Sequence, residues 1–360
     1  MRTLLTLSVL GILLPAVATG QQHPDGTTTP GVVAHPLVQM QDLAAAAPAS
    51  SPQLQTPPAP TPPPPTRRRR GSMVGYIEDA TIESKVRLRF DTAYHDTAPD
   101  RAEFFYAKCG CYTGLPVNHP AYDPDAPGPR PGAANDLNFQ QVFLEGEYAI
   151  DSRVSIFGMF PIRWLQPQSF IPDTGGTFPN QSGVGDLRMG VKLAAVDKDD
   201  AALTVKLQFY LPTGDPEQGL GTDHSSIEPA VLYLQRLSNI VTLESQFGVL
   251  LPIGGSAPVP TAADGSFSGN VIFYGIGPSF TVYETDRVQF APVLELVGWR
   301  VQDGNQTAAE GDASGTNIVN LKLGARAIFG QGSIYAGYGH VLTDQSWYDD
   351  IFRFEYRFSF

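Results

Sequence analysis

From residue 85 onward, apolar and polar side chains alternate along most of the chain. A period of two is the mark of strands, whose successive side chains point to opposite faces. The pattern predicts strands over 85–95, 137–150, 153–164, 184–196, 201–212, 226–237, 240–252, 270–284, 287–301, 317–329, 333–342 and 349–360. The last of these is the clearest. Phe352, Phe354, Tyr356, Phe358 and Phe360 fall on one face, and Arg353, Glu355, Arg357 and Ser359 fall on the other. A strand in the wall of a membrane barrel needs that arrangement, apolar toward lipid and polar toward the lumen. The connections alternate too. Short turns at 151–152, 197–200, 238–239, 285–286 and 330–332 are interleaved with long loops at 96–136, 165–183, 213–225, 253–269 and 302–316. Short turns on one rim and long loops on the other suit an all-β, transmembrane antiparallel barrel of about twelve strands.

Parity assigns the faces. In 201–212, Leu203, Val205, Leu207, Phe209 and Leu211 oppose Thr204, Lys206, Gln208 and Tyr210. In 184–196, Leu187, Met189, Val191 and Leu193 oppose Asp186, Arg188 and Lys192. In 317–329, Val319, Leu321, Leu323 and Phe329 oppose Asn320, Lys322 and Arg326. In 85–95, Val86, Leu88 and Phe90 oppose Arg87, Arg89 and Asp91, and in 137–150 Val142, Leu144 and Tyr148 oppose Glu145 and Glu147. An Arg or Lys facing lipid at mid-bilayer costs about 2–4 kcal/mol, so the polar faces are assigned to the lumen. Arg87, Arg89, Arg188, Lys192, Lys206, Lys322, Arg326, Arg353 and Arg357 then face Asp91, Glu145, Glu147, Asp186, Glu244 and Glu355. Two readings stand side by side: a polar solute pathway with a mild preference for anions, and a salt-bridged network that fills a narrow barrel. Arg87 or Arg89 opposite Glu145 or Glu147 is the specific pairing expected. Strands 226–237, 270–284 and 333–342 alternate too loosely to orient. The aromatic ending at Phe352, Phe354, Tyr356, Phe358 and Phe360 resembles the C-terminal signal of bacterial outer-membrane proteins, which implies the barrel-assembly machinery as a partner.

The N-terminus is read as an export signal. Arg2 precedes an apolar run from Leu4 to Leu14, followed by small residues with Ala16–Ala18 or Ala18–Gly20 as cleavage sites. Residues 1–20 are thus assigned to a signal peptide, 21–84 to a disordered periplasmic linker and 85–360 to the barrel. Pro dominates 57–65, which favours polyproline II, and Arg67 to Arg70 follow. That basic run is read as solvated linker, with a tether to an anionic surface as the alternative.

Composition fits a barrel: charged residues are 17% of the chain, and 36 Gly and 32 Pro supply turns. A net charge of −12 argues against nucleic acid as a partner. Outer-membrane lipid and a small-molecule solute are the partners expected, and a bacterial outer membrane the location. Cys109 and Cys111 are a candidate disulfide for an oxidising compartment; alone they are too few for a metal site. No cofactor is expected. The 96–136 loop also carries an aromatic cluster at Phe104, Phe105 and Tyr106, read as a constriction at the barrel mouth or a small cap. The acidic loop residues, Asp215, Asp303 and Asp350 among them, are read as solvated, with cation bridging to anionic lipid as the alternative. Catalysis is not expected. His224 and Ser225 are sequence neighbours in a loop, and His340 lies too far along its strand from Ser333 to form a dyad.

The segment Gly183-Val184-Gly185-Asp186-Leu187-Arg188-Met189-Gly190-Val191-Lys192 resembles the hallmark of a family of outer-membrane transporters associated with phenol-degradation pathways. Leu211-Pro212-Thr213-Gly214 and Leu251-Pro252-Ile253-Gly254 add to the resemblance, which covers roughly residues 137–360. It implies a relation in outline to fatty-acid and aromatic-hydrocarbon channels and uptake of small solutes, aromatic or hydrophobic compounds among them. The alternative function is a closed structural or surface-binding barrel with a charge-filled lumen. Two departures from the family pattern are expected: a Pro-rich linker in place of an N-terminal plug, and the Cys-bearing loop.

Overall fold

The computed structural model describes residues 71–97, 117–118, 133–171, 180–222, 224–253, 268–306 and 311–360. All lie in the unit Thr66–Phe360. Twelve long strands form the wall: β1 Lys85–Asp96, β2 Ala133–Ala149, β3 Val154–Ile171, β4 Leu187–Asp197, β5 Ala201–Leu211, β6 Ser225–Arg236, β7 Val241–Ile253, β8 Val271–Phe280, β9 Val288–Val301, β10 Asn317–Phe329, β11 Gly332–Val341 and β12 Asp350–Ser359. Each pairs antiparallel with its sequence neighbours, and β1 pairs with β12 from Lys85↔Ser359 to Tyr94↔Asp350. The sheet is therefore a closed antiparallel barrel, which leaves no edge strand to satisfy.

The outer surface is apolar. Val86, Leu88, Phe90, Leu144, Val191, Leu193, Val205, Leu323, Phe352, Phe354 and Phe358 are exposed there. Their partners in the alternation turn inward. Such a wall is stable only against lipid. Leu323 stands near the middle of β10 and is 53% exposed. Leu323→Arg is expected to cost about 2–4 kcal/mol of folding stability. Denaturant unfolding in lipid vesicles measures it, and an unchanged midpoint would mean that this face does not meet lipid.

Besides a β3 that runs on to Ile171 into the loop expected over 165–183, the structure departs from the sequence reading in three places. The strand expected over 184–196 is broken: Gln181–Val184 pairs with β3, and β4 begins only at Leu187. Gly185 and Asp186 leave the ladder between them to hold a neighbouring loop. The strand expected over 270–284 likewise stops at Phe280, with a short piece at Tyr283–Glu284.

The third departure is the largest. The linker was expected to run to residue 84, yet residues 71–84 lie inside the barrel. Ser72, Met73, Val74, Ile77, Asp79 and Ala80 are all buried. Met73, Val74 and Ile77 pack with Val293, Val297 and Tyr335, while Ala80 packs with Leu232, Leu234 and Phe273. The physical reason is composition: Met73-Val74-Gly75-Tyr76-Ile77 is short but apolar, and the wall offers it matching apolar patches. The N-terminal signal, residues 21–70, the loop aromatics Phe104–Tyr106 and the Cys109–Cys111 pair lie outside the described residues.

Candidate functional site

Residues 71–84 act on the lumen as a plug. The segment enters beside the C-terminus, where the Phe360 N–H donates to the Ser84 carbonyl at 2.9 Å. It climbs to a bend at Tyr76 and then returns toward Met73. Met73 is held by Arg326 and Glu244, both near the short-turn ends of their strands. Almost none of this fixation is strand pairing. Glu295 on β9 accepts from three successive backbone N–H groups, Gly75 at 3.0 Å, Tyr76 at 2.9 Å and Ile77 at 2.7 Å. Its Oε1 also accepts the Tyr335 hydroxyl at 3.1 Å. The Glu244 carboxylate accepts from Met73 at 2.9 Å, and Gln246 from Glu78 at 2.8 Å. Arginines take the carbonyls: Arg326 those of Met73 and Val74 at 3.2 and 2.7 Å, and Arg353 that of Gly75 at 2.6 Å. Gly75 lies flat on Tyr335, where a Cβ would come within 2.2 Å of the ring.

Below the bend, the buried charges form a continuous network. Asp79 bridges Lys85 at 2.7 Å and Arg357 at 3.0 Å. Glu147 meets Lys192 at 2.9 Å, Lys85 at 3.3 Å and Ser155 at 2.6 Å. Glu355 meets Arg326 at 2.8 Å, Arg357 at 3.1 Å and Arg87 at 3.6 Å. Arg87 also pairs with Glu145, its register partner across β1 and β2. That pair is fully desolvated, so a double-mutant cycle on Arg87→Ala and Glu145→Ala is expected to return a coupling of about 0.5–3 kcal/mol. Zero coupling would show that Glu355 and Glu78, at 3.6 and 3.9 Å, compensate Arg87 without Glu145.

Above the bend, on the long-loop side, lies a cavity of about 200 Å³. Tyr76 and Glu78 belong to its plug side, and Phe139, Trp299, Trp347 and Tyr348 supply aromatic walls. Its cations are Arg89, Arg163, Arg188, Lys206 and Arg353, and its carboxylates Glu78, Asp91, Asp96 and Glu228. Two pairs are closed: Lys206 with Glu228 at 2.8 Å, and Arg353 with Asp91 at 2.7 and 2.9 Å. Lys322 sits between the rings of Tyr76 and Tyr348, at 4.6 and 4.5 Å, and 3.0 Å from the Tyr348 hydroxyl. Tyr348 belongs to the loop before β12. Burial raises its hydroxyl above the ordinary phenol range while Arg353 pulls the other way, so it stays protonated at neutral pH.

Of the residues assigned to the lumen, Arg87, Arg89, Glu145, Glu147, Lys192, Lys206, Lys322, Arg326 and Arg357 are buried inside the barrel, and Arg188 and Arg353 line the cavity. Asp186 has a separate role. Its carboxylate accepts from Gly214 N–H at 3.0 Å and from the Thr222 N–H and hydroxyl, each at 2.8 Å. Thr213 donates its hydroxyl to the Gly185 carbonyl at 3.0 Å and accepts from Leu187 N–H at 2.9 Å. The Gly183–Asp186 and Leu211–Gly214 motifs thus meet in one clasp. Gly221 closes it, since a Cβ there would lie 2.6 Å from the Gly214 carbonyl oxygen. His224 does not form a dyad with Ser225; its Nδ1 faces the Thr222 carbonyl at 2.6 Å.

Sequence reasoning missed Glu295, Glu228 and Asp79. Glu295 carried a signal: it is a single carboxylate within the apolar run Val293-Leu294-Glu295-Leu296-Val297, and an unpaired carboxylate there has no place on a lipid face.

Among solved structures, the fold is similar to an outer-membrane channel from Pseudomonas putida F1, at 14% identity and a TM-score of 0.48, covering 80% of this chain and 99% of that one. It is also similar to the β domain of the Bordetella autotransporter BrkA, at 12% identity and a TM-score of 0.43, covering 77% and 100%. The NanC porin is a third, at 9% identity and a TM-score of 0.39, covering 77% and 100%. No curated protein matches the sequence. A family model does match residues 134–346, a stretch that contains the clasp motifs, β3 to β11 and most of the inward-facing charges. The chain is a closed antiparallel β-barrel with an apolar outer wall, and it belongs to the family described as "Putative MetA-pathway of phenol degradation".

Proposed function

We propose that the protein is a gated channel for small solutes across the outer membrane, closed by residues 71–84 in the conformation described. One observation carries this reading. The plug is not part of the wall: the strand ladder closes between β1 and β12 and between β8 and β9 without it. It is held mainly by side chains that reach its backbone. The segment can therefore leave while every wall strand keeps its partners. The cavity above Tyr76 is the loop-side half of the path, and its lining sets five cations, Arg89, Arg163, Arg188, Lys206 and Arg353, against four carboxylates. The family description supports aromatic compounds as the solutes. Assembly through the barrel-assembly machinery accords with the aromatic terminal strand.

The test is single-channel conductance of the folded chain in planar lipid bilayers. Brief, low-conductance openings from a mostly closed state are expected. A correctly folded chain that stays silent, both as it is and after the plug has been released, would overturn the channel reading and leave a closed barrel.

A further inference from the structure

We propose that the loop-side cavity is a binding site for single-ring aromatic carboxylates, with Arg188 and Arg89 taking the carboxylate and the aromatic wall taking the ring. The inference rests on the lumen being the solute path and names the chemistry that the path selects.

The argument starts from which cations are already satisfied. Lys206 and Arg353 hold their own carboxylates. Arg89 does not. It is 7% exposed, and its Nε lacks a hydrogen-bond partner. The nearest carboxylate, Asp91, stands 3.6 Å away and is already taken by both Nε and Nη2 of Arg353. Arg188 has no ion pair among the described residues, and its Nε is buried without a partner. Both guanidiniums lie against rings. Arg89 is 4.0 Å from the centroid of Phe143, and Arg188 is 5.3 Å from Phe143 and 4.6 Å from Tyr210. Tyr210 is fixed in turn by a 2.6 Å hydrogen bond to Glu228.

Stacked on rings, Arg188 makes no hydrogen bond or ion pair among the described residues, while Arg89 gives Nη2 to the Met159 sulfur at 4.0 Å and keeps Nη1 for a ligand. An edge-on guanidinium is a natural donor site for a planar carboxylate, which accepts from two parallel N–H groups. The rest of the wall is mixed: Gln141, Gln208, Gln246 and the charged groups already named stand beside Phe139, Phe273, Trp299, Trp347 and Tyr348, and this aromatic part suits a ring. Size agrees. An apolar cavity of about 150 Å³ holds benzene, and this cavity of about 200 Å³ has room for one ring bearing a carboxylate.

The experiment is isothermal titration of the folded chain in detergent micelles with benzoate, phenol and acetate, with heat-modifiable migration on gels confirming the fold of every variant. Benzoate is expected to bind saturably, and phenol and acetate at least about tenfold more weakly, because each lacks one half of the recognition. Arg188→Gln is expected to weaken benzoate binding about ten- to a hundredfold, the worth of a charge-assisted hydrogen bond, while Arg188→Lys falls between. Phenol binding as tightly as benzoate would overturn the proposal, as would acetate doing so, a silent titration, or an unaffected Arg188→Gln. Binding in micelles requires no passage. Binding without conductance would therefore refute the channel alone, and conductance without binding would refute only this site.

Discussion

Glu295→Ala is expected to raise the conductance of the barrel severalfold and hold it open, without loosening the wall. The carboxylate of Glu295 is the one group that receives three consecutive plug N–H groups, at the bend itself. A hydrogen bond to a charged acceptor contributes about 1.5–3 kcal/mol, and each buried N–H left without an acceptor costs about 1–3 kcal/mol. These terms overlap and do not add in full. Even about 3 kcal/mol shifts the balance between seated and displaced plug by roughly a hundredfold. Of the other anchors, Arg353 also holds the bend through the Gly75 carbonyl, whereas Arg326, Glu244 and Asp79 act lower on the segment. The expected change is therefore release of the Tyr76 bend, which separates the cavity from the short-turn side. Glu295→Gln should act in the same direction, because its amide N–H₂ would face N–H donors. Planar-bilayer recording at neutral pH reads the effect. A conductance equal to that of the unaltered chain would mean that the bend is not the barrier.

How much of this could be read from the chain follows from what each side chain faces. Where the inner face meets water or charge, alternation is sharp, and β1, β2, β4, β5, β10 and β12 are oriented by parity alone. The three strands that resisted, 226–237, 270–284 and 333–342, meet the plug with apolar inner side chains, as does β9 through Val293 and Val297, whereas β1, β4, β10 and β12 meet it with charged ones. Leu232 and Leu234 of β6 and Phe273 of β8 pack on Ala80, and Tyr335 of β11 packs in the cluster of Met73, Val74 and Ile77. An apolar inner face opposite an apolar outer face erases the period of two. The blurred strands and the misplaced linker boundary thus have one cause. A plug of 71–84 leaves its trace in the wall more than in itself, since a fourteen-residue stretch with one apolar patch looks like linker. The clasp was legible as a motif but not as a contact, because nothing local indicates that Asp186 reaches across to Thr222.

The second large effect belongs to the wall. Glu355→Ala is expected to lower folding stability by about 3–5 kcal/mol, the range for removing one partner of a buried ion pair. Glu355 is 0% exposed and stands among three arginines: Arg326 at 2.8 Å, Arg357 at 3.1 Å and Arg87 at 3.6 Å. Arg357 retains Asp79 and Arg87 retains Glu145. Arg326 retains only the carbonyls of Met73 and Val74 and the Ser333 hydroxyl. The cost therefore falls mainly on Arg326, an uncompensated charge in a wall with little water to solvate it. Denaturant unfolding in micelles measures the loss. A loss under about 1 kcal/mol, typical of solvated pairs, would mean that water reaches the charges around the plug. The two substitutions are expected to separate, because three of the four groups that Glu295 accepts from belong to the plug and one, the Tyr335 hydroxyl, to the wall, while every group that Glu355 pairs with is a wall arginine. Conductance without instability from the first, and instability from the second, is the signature of a removable plug inside a self-sufficient barrel.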